Sequence, residues 1–277
     1  MSSPDAIAIP LSPSSGQGAE AERFELTEHA RGPWDEAAAH GGAPAALLVR
    51  AIERHGAGSG MRLVSLQAAF LGPVLLGEIE IETEVLKPGR KQMVVSARLN
   101  GGGRTLVQAI GVLLRTGSVE LPEGVASPTT EAMPERASGR EAVQGLWANS
   151  GGTAFHSTSN TIVVVGGGPE DDRAEGAAWF RLDCPLAPGE GPTPAQRAAA
   201  AADFGNGLAH PVPFGEYLFI NCDLNLRLLR DPEGEWIGVQ AATEVSSNGA
   251  GLTTTNIYDS SGRCGAAGQV LYVDRSG

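Results

Sequence analysis

Residues 41–69 read GGAPAALLVRAIERHGAGSGMRLVSLQAA, and the spacing of their apolar residues changes from that of a helix to that of a strand. We predict a helix from about Trp34 to Arg54, apolar on nearly every face after its glycines, so other structure must surround it. The glycine-rich segment 56–60 ends this helix. Residues 62–69 then have the pattern of a β-strand, so a buried helix leads directly into a sheet.

The strands that follow alternate between charged or polar and apolar side chains. Residues 78–85 read EIEIETEV, which is the pattern of an antiparallel strand buried on one face. We predict this strand at Leu76–Leu86 and two more at Gln92–Leu99 and Thr105–Arg115, joined by the turns KPGRK and NGGG. The first half is therefore one long helix followed by about four antiparallel strands.

The second half repeats this order of elements. Thr193 is a predicted N-cap, and Pro194 is the first residue of an Ala-rich helix that runs to about Phe204. Strands are predicted at 161–165, 177–182, 217–229, 236–245, 251–258 and 264–273. Because a helix followed by strands occurs twice in one order, the sequence predicts an internal duplication of one α+β module.

The module boundaries follow from the composition between the periodic segments. Residues 1–22 are rich in Ser, Pro, Gly and Ala and are predicted to be a flexible N-terminal arm. The first module is predicted at 23–116 and the second at 146–277. Between them, residues 117–145 carry prolines among Ser, Thr, Glu and Gly, which predicts a linker.

The charge and the cysteines exclude several classes of protein. The net charge of -12 argues against nucleic acid and against an anionic membrane as the partner. The 3 cysteines are widely spaced, which predicts no disulfide framework, and the isolated histidines predict no metal site. We expect no cofactor. There is no signal-like N-terminus and no long apolar run, so we expect a cytoplasmic protein that does not span a membrane.

Several short motifs lie in the order and approximate spacing of one known family. They are WDE at 34–36, HGG at 40–42, LQAAFLGP at 66–73, FINCD at 219–223, Trp236, SSNGAG at 246–251 and Gln269. Together they resemble the bacterial acyl-CoA thioesterase II type and its wider thioesterase-like superfamily. A long buried helix wrapped by an antiparallel sheet is the hotdog arrangement. The fold class expected is therefore α+β, a double hotdog of two tandem modules with their sheets joined edge to edge.

The resemblance implies an enzyme, a thioesterase that hydrolyses acyl-CoA to free acid and CoA with an activated water and without a covalent intermediate. It further implies a role in lipid metabolism and, by analogy with other hotdog proteins, a homo-oligomer. Because CoA is polyanionic, an acidic protein that binds it needs a local basic patch. Four cations could supply one: Arg62, Lys87, Arg90 and Lys91.

In the family, an Asp, a Thr or Ser, and a Gln of the second module hold and polarise the water. Asp223 matches the aspartate and Gln269 the glutamine, so both are candidate catalytic residues. The hydroxyl position falls on Glu244, with Thr243 beside it on the other face of the strand and a candidate for substrate binding. Asp223 in its apolar strand is the candidate base, and Glu244 is the alternative, alone or together with Asp223. Gln269 can both donate and accept, which suits the positioning of a water.

The HGG motif supplies the candidate substrate-binding residues His40, Gly41 and Gly42. A helix N-terminus presents free N–H groups, which can stabilise the oxygen of a thioester. We expect the acyl chain between the two central helices. Two other functions stay open: a hotdog dehydratase or hydratase, which needs His40 close to a carboxylate, and a non-catalytic acyl-CoA or fatty-acyl binding protein.

Overall fold

The computed structural model describes residues 5–12, 21–125, 132–141, 152–167 and 173–276. Over these residues the fold consists of two modules, each with a helix packed against an antiparallel sheet, which confirms the predicted α+β class. The strands are β1 Ala8–Pro10, β2 Ala21–Leu26, β3 Met61–Phe70, β4 Gly77–Lys87, β5 Gln92–Gly101, β6 Arg104–Arg115, β7 Arg140–Glu141, β8 Asn160–Gly166, β9 Glu175–Leu182, β10 Tyr217–Asn221, β11 Asp223–Leu228, β12 Trp236–Val245, β13 Ala250–Asp259 and β14 Gly262–Arg275. The helices are α1 Gly42–Glu53, α2 Pro194–Ala202 and α3 Gly205–Leu208.

The strands of both modules form one continuous antiparallel sheet. Its order is β1-β2-β4-β5-β6-β3-β11-β14-β13-β12-β9-β8-β7, with β10 also paired to β14. The modules meet at the central pair, where β3 and β11 run antiparallel with Leu66 opposite Leu226. This pairing satisfies the edge of each module's sheet with the other module. The predicted edge-to-edge joining of the sheets is therefore confirmed.

The first helix is shorter than the sequence predicted. Residues 34–41 look helical because they are rich in Ala, yet α1 begins only at Gly42. The preceding residues are held by hydrogen bonds to distant segments: Ala39 N–H donates to Val74 O at 2.8 Å and His40 N–H to Ala30 O at 2.8 Å. Tertiary hydrogen bonds therefore override the local helix propensity.

The second helix begins as predicted, at Pro194 after the N-cap Thr193. The Thr193 hydroxyl accepts from the Gln196 N–H, and the Gln196 side chain accepts from the Thr193 N–H, which is a complete capping box. The helix ends at Ala202, two residues before the predicted end, and Phe204 leads into the short α3.

The two central helices pack more closely than an acyl chain would permit. A Cβ at Gly42 would lie only 2.5 Å from the carbonyl oxygen of Ala200. The alanines 198–202 of α2 are almost fully buried against this contact. The backbones therefore touch where α1 begins, and an acyl chain has no path between the helices at this point, contrary to our expectation.

The described part of the N-terminal segment is not the flexible arm that its Ser, Pro and Gly content predicted. Residues 6–8 are fully buried, and β1 pairs with β2. The backbone N–H groups of Ile7 and Ala8 donate to Pro185 O and Leu186 O at 2.9 Å, so this segment bridges both modules. The short apolar run AIAI at 6–9 explains the burial. The boundary at 145/146 lies outside the described residues, and the predicted module boundaries stay predictions.

Two carboxylates lie beside the helices, those of Glu53 and Glu190. Removal of their charge should change the free energy of unfolding in opposite directions. Burial raises the pKa of Glu53, although Thr193 Oγ1 and Gln196 Nε2 each donate to its Oε2 at 2.8 Å. Since the folded protein holds this proton more tightly than the unfolded chain, ionised Glu53 costs stability at neutral pH. We expect Glu53→Gln to raise the free energy of unfolding at about pH 8, and the gain to vanish toward about pH 3.5, where Glu53 is protonated in both states.

Glu190 is the matched control, because removal of its charge should change the free energy of unfolding in the opposite direction. Hydrogen bonds from Arg50 Nε at 2.6 Å and Nη2 at 2.8 Å lower the pKa of Glu190. This carboxylate therefore stabilises the fold at neutral pH and loses that contribution as the pH falls through its folded-state pKa. Glu190→Gln should lower the free energy of unfolding at about pH 8, with the difference shrinking toward acid. Urea unfolding curves of both variants measure this, and changes of equal sign at about pH 8 would refute the assignment.

No helix in the described ranges is long and apolar enough to cross a membrane.

Candidate active site

A buried carboxylate, Asp203, lies where the end of α2 meets the start of α1. Its side chain is almost fully buried, with 3% of the residue exposed. Asn221 Nδ2 donates to Oδ1 at 2.7 Å, and Gln269 Nε2 approaches the same oxygen at 3.4 Å. His40 Nδ1 lies 3.0 Å from Oδ2. Oδ1 therefore accepts from side chains of β10 and β14, and Oδ2 faces the imidazole of His40 in the loop before α1.

Gly41 makes this arrangement possible because its Cα faces the carboxylate directly. A Cβ at this position would lie 2.7 Å from Asp203 Oδ2 and 2.9 Å from Oδ1. Any side chain at residue 41 would therefore displace the Asp203 carboxylate. Among the described residues, the Gly41 N–H has no hydrogen-bond acceptor, although Gly41 lines the adjoining cavity. This N–H is a donor available to a ligand at the start of α1.

The buried side chain of Gln269 helps to hold the Asp203 carboxylate in position. Only 1% of the residue is exposed, and its Nε2 also donates to the Asp203 carbonyl oxygen at 3.3 Å. Its Oε1 accepts from the Asn206 N–H at the start of α3, at 3.3 Å. The amide thus holds the turn between α2 and α3 in place, which fixes the position of Asp203.

Thr243 is buried, but it does not reach the carboxylate. Its hydroxyl lies 2.7 Å from the hydroxyl of Thr253, which stands opposite Gln269 in the sheet. Thr243 is therefore part of the buried polar layer beneath the site. Its predicted contact with substrate stays a prediction.

The structure brings Gln269, His40 and Gly41 together as candidate site residues, but it places Glu244 elsewhere. Thr243 points inward, so its neighbour Glu244 points outward and is exposed. Glu244 stands opposite Leu252, which is 46% exposed on the outer face of the sheet. Strand alternation thus separates Glu244 from the buried carboxylate.

Asp223 is also kept out of the cluster, because the predicted strand 217–229 breaks at Cys222. Asp223 stands opposite the exposed Ala69, while its neighbour Leu224 is buried. The Asp223 carboxylate accepts from the Val270 N–H at 2.7 Å and from Asn225 Nδ2 at 2.7 Å. The geometry therefore gives this carboxylate backbone and side-chain partners at a strand irregularity. The catalytic roles of Asp223 and Glu244 stay predictions.

Sequence reasoning assigned no catalytic role to Asp203 or Asn221. Asp203 stands in the segment DFGNG, which also has the pattern of a helix stop. The Asn221 side chain donates to Asp203 from β10, and its own Oδ1 is buried without a hydrogen-bond partner among the described residues. One sequence signal pointed to Asp203. The segments HGG and DFGNG each contain a polar residue next to glycines and lie at an end of a central helix.

A cavity of about 490 Å³ opens onto Asp203. Its inner end carries polar groups, and its walls are mostly apolar, formed by the loops 32–41 and 70–74 and by β10. Trp34 stacks on Phe214 at 4.8 Å and contacts Phe219 edge-on at 4.9 Å, which fixes one aromatic wall. The volume lies within the range of about 300–1,000 Å³ typical of ligand sites. An apolar group with a reactive polar end fits such a cavity.

Burial and the nearby His40 lower the pKa of His156 to about 4. His156 is therefore neutral at physiological pH.

Within the described ranges, no three His, Cys, Asp or Glu side chains are grouped to hold a metal ion. Cys184, Cys222 and Cys264 are all free thiols.

Two family models match the chain. The model of the acyl-CoA thioesterase N-terminal domain matches residues 30–114, and that of the acyl-CoA thioesterase C-terminal domain matches residues 123–273. The chain therefore belongs to the acyl-CoA thioesterase family. A comparison with curated protein sequences found no match.

Solved structures of low sequence identity share the fold. A conserved protein of unknown function with hot dog fold from Alicyclobacillus acidocaldarius is 17% identical, with a TM-score of 0.70, covering 95% of this chain and 96% of that one. The acyl-CoA thioesterase II TesB2 from Mycobacterium marinum is 16% identical, with a TM-score of 0.64, covering 92% of each chain. The tesB protein of Mycobacterium avium subs paratuberculosis is 14% identical, with a TM-score of 0.65, covering 91% and 93%. The predicted double hotdog is thus confirmed.

Proposed function

We propose that this protein hydrolyses acyl-CoA thioesters with a water activated by Asp203. The observation that carries the proposal is a buried carboxylate, held by Asn221, Gln269 and His40, at the inner end of an apolar cavity. A carboxylate within hydrogen-bond reach of a water acts as a general base. The free Gly41 N–H beside it supplies a donor for the oxyanion.

The reaction needs three contacts at this site. Asp203 takes a proton from the water while the Asn221 Oδ1 accepts the other water hydrogen. The water oxygen bonds to the thioester carbon, and the carbonyl oxygen receives a hydrogen bond from the Gly41 N–H. Collapse of the tetrahedral intermediate breaks the C–S bond and leaves the electron pair on sulfur. The products are a carboxylic acid and CoA.

The experiment that tests the proposal is release of free CoA from short-, medium- and long-chain acyl-CoA esters. We expect turnover on at least one chain length, with the apolar cavity walls selecting among them. A folded protein that binds acyl-CoA without releasing CoA would instead be a binding protein. The homo-oligomer, the cytoplasmic location and the role in lipid metabolism stay predictions.

The phosphates of CoA need a cation near the cavity mouth, and Arg62, one of the four expected cations, lies away from it. Arg62 is at the opposite end of β3 from the cavity and donates to Leu229 O at 2.6 Å. Arg104 is better placed, since a Cβ at the cavity-lining Gly72 would lie 3.7 Å from its Nη2. The exposed Arg115 ends the same strand and is a matched control.

We therefore expect Arg104→Glu to raise the KM for acyl-CoA about 5- to 10-fold, since an exposed ion pair contributes roughly 1 kcal/mol and the new charge repels phosphate. The KM for the same acyl group on N-acetylcysteamine, which lacks phosphates, should not change. Steady-state kinetics of both substrates measure this, with Arg115→Glu as the control. An equal rise with both substrates would mean that residue 104 shapes the cavity and does not bind phosphate.

One observation favours a second function. His40 lies 3.0 Å from the Asp203 carboxylate, and a His–carboxylate pair is what a hotdog dehydratase or hydratase needs. Such an enzyme would add water to the double bond of an enoyl-CoA and leave the thioester intact. Following loss of the enoyl absorbance and release of free thiol in one reaction separates the two functions. Loss of absorbance without free thiol would favour the hydratase.

A further inference from the structure

The imidazole of His40 is held rigidly beside the proposed base. Phe155 stacks on one side of the ring at a centroid distance of 5.1 Å and an interplanar angle of 28°. Phe204 packs at 4.3 Å and 32°. The side chain is 10% exposed. The ring therefore has one orientation, with Nδ1 toward Asp203.

The hydrogen bonds at Nδ1 determine where the ring carries its proton. The Gly42 N–H points at Nδ1 from 3.1 Å, and in the tautomer that accepts this hydrogen bond the neutral ring carries its proton on Nε2. Asp203 Oδ2 lies 3.0 Å from the same nitrogen, so a proton arriving on Oδ2 can pass to Nδ1. Nε2 makes no hydrogen bond within the described ranges, and His40 lines the cavity.

We propose that His40 is the general acid that protonates the departing thiolate of CoA, an inference that rests on the proposed hydrolysis. One water proton moves to Asp203 Oδ2 and on to His40 Nδ1, while the water oxygen bonds to the acyl carbon. The C–S bond breaks, its electron pair stays on sulfur, and sulfur takes the proton of His40 Nε2. The Nδ1 proton then returns through Asp203 to solvent, and Nε2 takes a proton from solvent.

The need for an acid depends on the leaving group, which makes the proposal testable. An alkyl thiol has a pKa of about 8.5, so its thiolate is a moderately poor leaving group. A nitro-substituted aryl thiolate is far less basic and leaves without a proton. Removal of the acid should therefore slow hydrolysis of the CoA ester much more than hydrolysis of a nitrothiophenyl ester with the same acyl group.

The variant to use is His40→Asn, because its amide group occupies the place of Nδ1 beside Asp203 while Nε2 is lost. We expect kcat/KM for the CoA ester to fall about 100-fold or more, and that for the nitrothiophenyl ester to fall less than about 5-fold. Asp203→Asn should slow both esters alike. His40→Gln, which restores an amide near the Nε2 position, provides a second variant if the first does not fold.

Equal losses on both esters would overturn the proposal, since His40 would then only position Asp203. Unchanged hydrolysis of the CoA ester would also overturn it. Failure of the proposed function looks different, because the unaltered protein would then release thiol from neither ester.

Discussion

Asp203→Asn should lower kcat for CoA release by about 1,000-fold, within the range of about 10²–10⁴ that general base catalysis contributes. The amide has the shape of the carboxylate and can still accept from Asn221, so the fold should survive. It cannot take a proton from water, so the reaction loses its base. Steady-state release of CoA measures the loss, and thermal unfolding of the same preparation checks the fold.

Asp223→Asn is the matched control for this prediction. The Asp223 carboxylate bonds to the Val270 N–H, and an amide oxygen can accept the same hydrogen bond. We therefore expect kcat to change less than about 2-fold. If Asp223→Asn abolished turnover while Asp203→Asn did not, the base would be the residue that the family resemblance implied, and the buried cluster would be structural.

Gly41→Ala should lower kcat about 100-fold with the fold intact, because one methyl group would occupy the space of a carboxylate oxygen. The new Cβ would lie 2.7 Å from Asp203 Oδ2, so the carboxylate must move away from His40 and Asn221. A misplacement of about 1 Å in a catalytic group costs on the order of 10²-fold in rate. The measurement is kcat, with substrate saturation confirmed separately.

Gly72→Ala makes the same substitution in the wall of the same cavity. Its Cβ would find ordinary contacts, with Arg104 Nη2 at 3.7 Å and Leu106 Cδ2 at 3.8 Å. The turnover number of this variant should stay within about 2-fold of the original. Equal losses in both variants would show that cavity volume, and not the position of Asp203, limits the rate.

The sheet was predictable because its signals are local. Strand β12 has the bounds Trp236–Val245 that its sequence pattern predicts, and the capping box at Thr193 is visible as Thr-Pro-Ala-Gln. Alternation and capping act within a few residues, so no knowledge of the fold is needed to find them. Duplication of these local patterns was enough to predict two modules.

The start of α1 was not predictable in the same way. The segment 34–41 contains four residues between Glu36 and Gly41, AAAH, that favour or tolerate a helix. Its actual conformation depends on hydrogen bonds to Ala30 and Val74, which are brought near only by the folded chain. Local propensity is a weak prior where such contacts exist.

The candidate base was missed for a geometric reason. The sequence predicted one continuous strand through residues 217–229, on which Asn221 and Asp223 would share a face. The irregularity at Cys222 changes this, so Asn221 reaches Asp203 while Asp223 stands on the outer side. A one-residue irregularity in a strand does not change the composition or the overall alternation of the segment, so it cannot be predicted from them.

The most direct test of water activation by Asp203 is a single turnover in water enriched in oxygen-18, with the protein in excess over acyl-CoA. The account predicts that the carboxylic acid from this first turnover carries one labelled oxygen, because the attacking atom comes from water. Unlabelled acid would show that a carboxylate of the protein attacks the thioester first and gives up its own oxygen. Absence of free acid altogether would contradict hydrolysis itself.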